Sequence, residues 1–561
     1  MNRFTIQSFP RRALALVLTA ALLVPTALAT AGTAQLNTTQ VLADGLTYRN
    51  TISNHSSAGR MESFSFELEP DSVVYPIMIQ AAGTIYGAAT INRAITTAQE
   101  MGYHVIGGIN SDFFTMGSGI PNGISIEEGV YQSSSEGNNA IAMVDGQLQL
   151  VSDPQVTITV TNQRTGNSVN ISHFNKWRNS AGGLYLFNED FSTVSTHSDA
   201  AGGRTMRLQL VEEEAGTDLT VNSTLHLEVV EVMDTEGSVT IGEDNYIITA
   251  AYESGFYDFF ASYQPGDLVT LTTSCTDPVI SQTQWAGGCG DIIVSNGAIT
   301  DSSSWTYATG RAPRTAVGVQ SDGTMIFYTV DGRQSGYSGG LTELDLAEEM
   351  LRQGCVWAVN LDGGGSTTFA ARLPGSDGVS VVNSPSGGAL RSCAAFILLV
   401  TDPENADGTP ERLALQEDGL VVLAGSSVTL GDVAALDQSG TTVTSRVTDA
   451  EFTSDTGLGT FNGGVYTAGS TSGTDTIQIY SPSLDVEGTA QIHVVSSLSD
   501  LTVTRSGSNT SVTSLSLDSG ESVSLSAVGS YWSRTALRLG SSAVTWGVTA
   551  SIGTITQDGG F

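Results

Sequence analysis

Residues 360–368 concentrate several reactive and binding groups in one short stretch, NLDGGGSTT. Asp362 supplies a carboxylate, Asn360 supplies an amide, and three consecutive hydroxyl residues end the stretch. The three glycines between them allow positive φ and leave backbone N–H groups that a ligand can approach. The composition predicts a binding or catalytic site, and a strand-ending turn is the alternative interpretation.

The pattern Asn-x-Asp occurs in a second place with the same surroundings. Both Asn110-Ser-Asp112 and Asn360-Leu-Asp362 follow a predicted helix, a glycine and a predicted strand. Side chains two residues apart on a strand point to the same face. Helix–strand order of this kind favours neighbouring strands of one sheet, with both ends at one edge. We therefore expect Asn110, Asp112, Asn360 and Asp362 to share a cleft.

The two helices that precede these strands are predicted from apolar spacing and end signals. Residues 89–101 show the i, i+3, i+4, i+7 spacing of a helix, and Gly102 follows as its stop. The second helix begins after the N-cap Thr342 and stops at Gly354. A buried strand over residues 355–359 then leads into the glycine-rich stretch.

Arginines lie at the ends of the neighbouring predicted elements. Arg311 and Arg314 precede one apolar strand, Asp331 and Arg333 end the next, and Arg391 ends a polar loop. Arginine in such positions can bind a phosphate or carboxylate through two parallel hydrogen bonds. Surface ion pairs are the alternative interpretation, because acidic partners are abundant in this chain.

The chain as a whole is strongly acidic. Its 561 residues carry a formal net charge of −35, and Lys176 is the only lysine. Nucleic-acid and anionic-membrane binding require basic patches, so the charge argues against both as functions. A single lysine also argues against P-loop and Schiff-base chemistry, and we expect no cofactor.

Residues 1–34 are predicted to be a signal peptide. Arg3, Arg11 and Arg12 form a basic start, and an apolar core follows over residues 13–24. Ala27-Leu-Ala29 fits a cleavage site, and Gly32-Thr-Ala34 is a second option. The apolar core is too short to span a membrane. We expect a secreted or surface-attached protein without membrane insertion.

Four cysteines remain after the leader. Export permits disulfides, and four cysteines allow three connectivities. The expected pairs are Cys275–Cys289 and Cys355–Cys393, with free buried thiols as the alternative. The spacings do not match those of a zinc site, and we predict no metal site.

The fold class predicted for residues 35–400 is an α+β domain with mixed sheets and few helices. A linker over 401–410 precedes short alternating strands, which predict an all-β Ig-like sandwich over 411–495. Matching segments such as GSSVTL at 425–430 and GESVSL at 520–525 indicate a second Ig-like sandwich over 496–561. This second copy is shorter, so we expect further chain beyond it, which would provide cell-surface attachment.

Several motifs occur in the order seen in the phosphodiester glycosidase family, and residues 45–400 resemble that family. The motifs are Asn110-x-Asp-Phe-Phe114, Pro121-x-Gly123, Pro313-Arg-Thr-Ala-Val-Gly318, Val330-Asp-Gly-Arg333, Leu346-Ala347 and Asn360–Thr368. The resemblance implies hydrolysis of a sugar–phosphate bond, with release of the sugar from a phosphodiester. The expected partner is a sugar-1-phosphodiester glycan or glycoconjugate.

We assign hypothetical roles to these residues on that basis. Asp362 acts at the anomeric carbon as nucleophile or base, Asp112 is a second catalytic candidate, and Asn360 and Asn110 position the sugar or Asp362. Arg314 and Arg333 bind the phosphate, and Asp331 orients Arg333. The full set of substrate-binding candidates is Asn110, Arg314, Thr315, Asp331, Arg333, Gly364, Gly365, Ser366, Thr367 and Arg391.

Two other function classes fit the same sequence. The first is a surface protein that binds carbohydrate without turnover, which suits the acidic chain and its Ig-like tail. The second is a metal-dependent phosphodiesterase that uses Asp112, Asp331 and Asp362 as ligands. Product analysis separates the first from a glycosidase, and chelator treatment separates the second.

Overall fold

The computed structural model describes residues 33–178, 182–195, 202–508, 510–518, 520–532, 535–540, 543–547, 554–557 and 559–561. Most of them lie in β-sheets, and helices are few. Residues 1–32 of the predicted signal peptide lie outside the described residues. No helix in the described part of the chain is long and apolar enough to cross a membrane.

An eight-stranded antiparallel sheet contains the strand that leads into the glycine-rich stretch. Its strands, in spatial order, are Thr33–Ala43, Leu46–His55, Gly59–Leu68, Met325–Val330, Arg314–Gln320, Cys355–Leu361, Ile292–Ser295 and Ala298–Ile299. The register pairs Thr315 with Leu361 and Ala316 with Asn360. The strand that begins at Arg314 therefore runs beside the glycine-rich stretch.

A five-stranded antiparallel sheet packs against the first one. Its strands, in spatial order, are Ser380–Val381, Phe369–Ala371, His104–Asn110, Ala395–Thr401 and Tyr75–Gln80. One hydrophobic cluster joins the two sheets, with Phe66, Val317 and Val359 from the first and Ile109 and Phe369 from the second. The rings of Phe66 and Phe369 stack with centroids 4.2 Å apart. This shared core holds the two Asn-x-Asp strand ends side by side.

Both predicted helices are present, as Ile91–Glu100 and Glu343–Arg352. Thr342 caps the second helix, because its hydroxyl accepts a hydrogen bond from the N–H of Asp345 at 3.1 Å. The Asp345 carboxylate accepts one from the N–H of Thr342, which completes a capping box. Gly354 follows this helix with φ of +87°, a conformation that glycine adopts without strain. The predicted helices are confirmed.

Residues 125–289 add three further sheets and a second large core. An eight-stranded sheet contains, in spatial order, Ser168–Asn170, Thr157–Asn162, Leu268–Ser274, Thr224–Thr235, Gly203–Leu210, Asn245–Ala251, Tyr185–Phe187 and His173–Phe174. A five-stranded sheet contains Val130–Ser133, Ser125–Glu127, Trp285–Cys289, Asn139–Val144 and Gln147–Val151, and a third pairs Val194–Ser195 with Val239–Thr240.

Short 3-10 turns occur at Glu212–Glu214, Tyr257–Ser262, Ile280–Gln282, Ser302–Ser304, Gly364–Ser366 and Pro403–Asn405.

The C-terminal part of the described chain is all-β. One sheet contains, in spatial order, Thr442–Thr444, Val433–Leu436, Arg412–Leu415, Val486–Val495, Leu420–Leu423, Thr535–Arg538, Leu525–Tyr531 and Asp500–Arg505, with Gly473–Ser481 and Glu451–Ser454 branching from Val486–Val495. A smaller sheet contains Ser427–Thr429, Val465–Ala468 and Gly459–Asn462. The strands after residue 500 join the first sheet through Leu420–Leu423. The division into two Ig-like sandwiches stays a prediction.

The sheet arrangement differs from the prediction in two ways. The strands ending at Asn110 and Asn360 lie in different sheets, although we expected one. They still meet, because the two sheets pack face to face across their common core. The predicted mixed character is limited in residues 33–401, where the described strand pairs are antiparallel except for His173–Phe174 with Tyr185–Phe187.

The predicted disulfide pairs are wrong. All four cysteines are free thiols in the structure. The four side chains pack in or against four separate hydrophobic clusters, which keeps the expected partners apart: Cys275, Cys289, Cys355 and Cys393. The stability of these clusters therefore comes from apolar packing.

Candidate active site

The glycine-rich stretch turns sharply after the strand Cys355–Leu361. The N–H of Gly364 donates a hydrogen bond to the carbonyl of Pro313 at 2.9 Å, and Gly364 has φ of +63°. A side chain on Gly363 would lie 2.8 Å from that same carbonyl oxygen. The turn therefore requires glycine both for its conformation and for its close approach to the neighbouring strand.

Asn110 binds the stretch to the second sheet. Its amide Nδ2 donates to the carbonyl oxygen of Asp362 at 2.6 Å. Its Oδ1 accepts hydrogen bonds from the Thr315 hydroxyl at 2.9 Å and from the Thr368 N–H at 3.1 Å. The N–H of Asp362 donates to the carbonyl of Ser111 at 3.1 Å. Asn110 is fully buried, and its hydrogen bonds hold the backbone at Asp362 in place.

A cavity of about 260 Å³ opens on the outer side of this turn. Its lining residues are Phe113, Tyr307, Gly310, Arg311, Ala312, Arg314, Arg333, Asp362, Gly363, Gly364, Gly365 and Arg391. They include four arginines and one carboxylate, although the chain has 57 acidic and 22 basic residues. The cavity thus suits an anionic ligand that places a reacting group near Asp362.

Arg391 and Arg333 lie against the exposed backbone of the glycines. A Cβ on Gly365 would be 2.3 Å from Nη2 of Arg391, and one on Gly364 would be 3.1 Å from Nη1 of Arg333. Arg391 also donates to the Ser366 hydroxyl at 3.3 Å. Neither guanidinium forms an ion pair with a carboxylate within the described residues. Both are therefore available to an anionic ligand.

Arg314 and Arg311 have partners of their own. Arg314 is buried, and it donates to the carbonyls of Leu341, Tyr307 and Gly310 at 3.1, 3.0 and 2.6 Å. Arg314 forms no ion pair within the described residues, and the nearby Glu343 carboxyl is the main charge that stabilises its positive form. Arg311, in contrast, pairs with Asp345 at 2.9 Å, so its charge is already balanced.

Asp362 holds its proton more tightly than a free aspartate. Burial raises its pKa to about 6, while the Ser366 hydroxyl, the Arg391 charge and the Gly363 N–H act in the opposite direction. A carboxyl group with this pKa is ionised at neutral pH and can still accept a proton. The pKa suits either a nucleophile or a general base.

Asp112 lies outside the lining of the cavity and is buried beside it. Its Oδ2 accepts a hydrogen bond from the Gly123 N–H at 2.8 Å, and its buried Oδ1 has no partner among the described residues. Burial raises the pKa of Asp112, and the nearby Lys176 ammonium opposes this shift. Lys176 donates to the carbonyls of Pro121 and Gly123, so the single lysine fastens the loop that contacts Asp112.

Asn360 is a predicted catalytic residue that does not line the cavity. Asn360 is buried, and its Oδ1 has no hydrogen-bond partner among the described residues. It lies on the opposite face of the strand from Leu361, because side chains alternate along a strand. The strand ends at Leu361, and of the pair Asn360 and Asp362 only Asp362 lines the cavity.

Asp331 does not contact Arg333, although we expected it to orient that residue. Its carboxylate accepts hydrogen bonds from Asn383 at 2.8 Å, the Ser384 N–H at 2.7 Å and the Tyr337 hydroxyl at 3.0 Å. These contacts fasten the polar loop to the strand end. Arg333 itself is exposed, has φ of +59° and lies against Gly364.

The remaining predicted residues are buried around the turn and do not line the cavity. Thr315, Ser366 and Thr367 are almost fully buried, and the Thr315 hydroxyl also lies 3.4 Å from that of Thr367. Three aspartates sharing a metal ion are not supported by this geometry. No group of three histidine, cysteine, aspartate or glutamate side chains in the described chain could hold a metal ion.

The structure adds residues that the sequence reasoning missed. Phe113 and Tyr307 line the cavity with parallel rings. Behind them, Glu343 is buried and accepts a hydrogen bond from the Tyr307 N–H at 3.1 Å. Burial and the neighbouring Asp291 carboxyl raise the pKa of Glu343. Phe113 belongs to a motif and Glu343 is an acid in the first turn after the N-cap Thr342, whereas Tyr307 carries no local sequence signal.

The comparison with protein families agrees with the motifs. Residues 219–400 match the family model described as phosphodiester glycosidase. The predicted family resemblance is confirmed. The matched segment contains Arg314, Arg333, Asp362 and Arg391, whereas Asn110 lies before it.

Individual relatives are distant or share only a short segment. A prophage-derived protein of Bacillus subtilis strain 168 is 46% identical over 66 residues, which are 12% of this chain and 10% of that protein. A Burkholderia pseudomallei K96243 protein described as exported aligns with a TM-score of 0.53 at 16% identity, over 66% of this chain and 97% of that one. This likeness concerns the fold alone.

Two further solved structures align with TM-scores below 0.5. The catalytic domain of zebrafish N-acetylglucosamine-1-phosphodiester α-N-acetylglucosaminidase aligns with a TM-score of 0.31 at 13% identity, over 65% of this chain and 87% of that domain. A protein from Synechocystis aligns with a TM-score of 0.49 at 17% identity, over 64% of this chain and 62% of that one.

Proposed function

We propose that this protein hydrolyses the bond between a sugar and a phosphate in a sugar-1-phosphodiester. The observation that carries the proposal is the meeting of Asp362 with Arg314, Arg333 and Arg391 around one small cavity. An anionic substrate group accounts for three arginines that form no ion pair with a carboxylate among the described residues, in a chain of net charge −35. The family match supports the same substrate class.

The reaction needs an attack on the anomeric carbon and a stable leaving group. Asp362 either attacks that carbon itself or removes a proton from the attacking water. The bond between the carbon and the phosphate oxygen breaks, and its electron pair leaves with the phosphomonoester. Water supplies the hydroxyl of the released sugar and the remaining proton. The arginines stabilise the anionic leaving group, which reduces the need for a strong general acid.

The proposed substrate is an extracellular glycan or glycoconjugate. This follows from the basic and apolar leader, which predicts export, and from the acidic composition of the chain. The β-rich C-terminal region holds the enzyme at the cell surface or on the glycan. Secretion can be tested by sequencing the N-terminus of the protein recovered from the culture medium.

The decisive experiment follows the position of bond cleavage. A methyl phosphodiester of N-acetylglucosamine 1-phosphate is incubated with the protein in water enriched in a heavy oxygen isotope. We expect free sugar that carries the isotope and methyl phosphate that does not. Isotope in the phosphate would instead show phosphodiesterase chemistry, and binding without any product would show a carbohydrate-binding protein.

The variant Asp362→Asn tests the assigned residue in the same assay. We expect turnover to fall by about 10³-fold or more, because the amide is neither a nucleophile nor a base at neutral pH. Asp145→Asn is the matched control, since Asp145 lies in an exposed hairpin turn whose φ of +50° also suits asparagine. Near-normal turnover by Asp362→Asn would contradict the assignment.

A further inference from the structure

One wall of the cavity is aromatic and faces a site otherwise made of arginines and bare backbone. The rings of Phe113 and Tyr307 are nearly parallel, with an interplanar angle of 11° and centroids 6.0 Å apart. Tyr307 lines the cavity and is 45% exposed. The exposed ring therefore offers apolar surface to a ligand rather than to the core.

Contacts with the surrounding backbone fix the position of Phe113. Its carbonyl accepts a hydrogen bond from the Asn122 N–H at 2.9 Å. A Cβ on Gly290 would lie 2.8 Å from Cε2 of the Phe113 ring, so only glycine leaves room for the ring there. Phe113 also follows Asp112 directly, and this fixes the ring next to the strand end that meets Asp362.

Buried charged groups hold the backbone of Tyr307 on both sides. Its N–H donates to the Glu343 carboxylate at 3.1 Å, and its carbonyl accepts from Arg314 at 3.0 Å. The N–H of the preceding residue, Thr306, donates to Asp291 at 3.0 Å. These three hydrogen bonds fix the backbone of the loop while the ring stays exposed. Such preorganisation favours a binding role.

The chemistry of the wall suits the sugar part of the substrate. An aromatic face is electron-rich, and the C–H groups on one face of a pyranose ring carry slight positive charge. The guanidinium groups of Arg333 and Arg391, by contrast, suit the phosphate. One cavity therefore combines an apolar platform and a cationic clamp, which are the two surfaces that a sugar phosphate presents.

We propose that Phe113 and Tyr307 form the sugar-binding wall of the site and that Tyr307 determines specificity for a pyranosyl group. The proposal rests on the proposed function in taking a sugar phosphate as the ligand. Tyr307 binds the sugar and leaves the phosphate to the arginines. The loop that carries Tyr307 is positioned by Glu343 and Arg314.

The test compares two ligands in calorimetric titrations: N-acetylglucosamine 1-phosphate and inorganic phosphate. Tyr307→Ala is expected to weaken binding of the sugar phosphate about tenfold and to leave inorganic phosphate binding within about twofold. Tyr307→Phe should bind both ligands like the wild type, because the ring face is kept. Tyr257→Ala is the matched control, since Arg204 lies over the Tyr257 ring at 5.4 Å, much as Arg314 lies over Tyr307 at 5.7 Å.

Two outcomes would overturn the proposal. If Tyr307→Ala weakens both ligands equally, Tyr307 acts only by placing Arg314. If it weakens neither, the wall does not contact the sugar. Failure of the proposed function looks different: no sugar phosphodiester is hydrolysed by the wild type, while the selective loss of sugar phosphate binding by Tyr307→Ala persists.

Discussion

At the scale of single residues, Asp362 combines a reactive carboxyl with a buried position. Burial raises its pKa to about 6, above the ordinary value of 3.8. A raised pKa means that folding is favoured below the unfolded value and that this stability is lost as the pH rises through about 6. The ionised form that chemistry requires is thus the less stable one, as is common for active-site groups.

This trade-off predicts that Asp362→Asn is more stable than the wild type in mild alkali. At about pH 8 the gain is expected to reach at most about 3 kcal/mol, the equivalent of the pKa shift. Near pH 4 the wild-type carboxyl is protonated in the fold and the difference should shrink. Chemical denaturation at both pH values measures the change, and a variant less stable at about pH 8 would contradict the argument.

The arginines of the cavity are predicted to differ in their importance for phosphate binding. Arg391→Lys should weaken inorganic phosphate binding about tenfold, because lysine cannot reproduce the two parallel hydrogen bonds of a guanidinium. Arg311→Lys is the matched control and should change the affinity by less than about threefold, since Asp345 already balances that charge. Calorimetric titration gives both values, and equal losses would show that the ion pair does not matter.

At the scale of elements, the site depends on how closely the turn approaches its neighbours. The Gly364–Ser366 turn lies under the Arg391 guanidinium, and Asn110 braces it from the other sheet. Neither contact involves residues close in sequence. The turn is therefore a meeting point of three segments, and its shape depends on all of them.

Gly365→Ala is predicted to damage ligand binding without unfolding the protein. The new Cβ would lie 2.3 Å from Nη2 of Arg391, and the flexible end of that side chain can move away. We expect phosphate affinity to fall about as far as in Arg391→Lys, with a stability change below about 1 kcal/mol. Gly387→Ala is the control in the adjoining loop, because a Cβ there meets nothing within 4 Å. Unchanged phosphate affinity in Gly365→Ala would place Arg391 outside the binding site.

At the scale of the whole molecule, acidity sets the response to pH and salt. Burial raises the pKa of at least five carboxyl groups to about 6 or 7, namely Glu127, Asp190, Asp331, Asp362 and Asp418. Each adds stability that is lost as the pH rises through its folded pKa. The net charge of −35 adds repulsion that grows as these groups ionise.

We therefore predict that the free energy of unfolding falls between about pH 5 and pH 8. At the upper pH, added salt should raise the melting temperature, because it screens repulsion between carboxylates. Calorimetry at two pH values and two salt concentrations separates the contributions, since the burial effect persists in high salt. Rising stability over this pH range would contradict the prediction.

The sequence by itself determined the features that depend on neighbours along the chain. The capping box at Thr342 and the stop at Gly354 involve groups a few residues apart, so the second helix was predictable. The glycine-rich stretch was recognisable because its conformational freedom is a property of the residues themselves. The ordered motifs likewise indicated the phosphodiester glycosidase family before any geometry was available.

Only the tertiary structure decided which of these residues meet. Asn110 and Asp362 lie 252 positions apart and come together through two sheets rather than one. Asn360 does not line the cavity, Asp331 binds the polar loop, and Tyr307 enters the site from a loop without any local signal. Sheet pairing and core packing fix these placements through long-range contacts, which the local pattern of a single sequence does not encode.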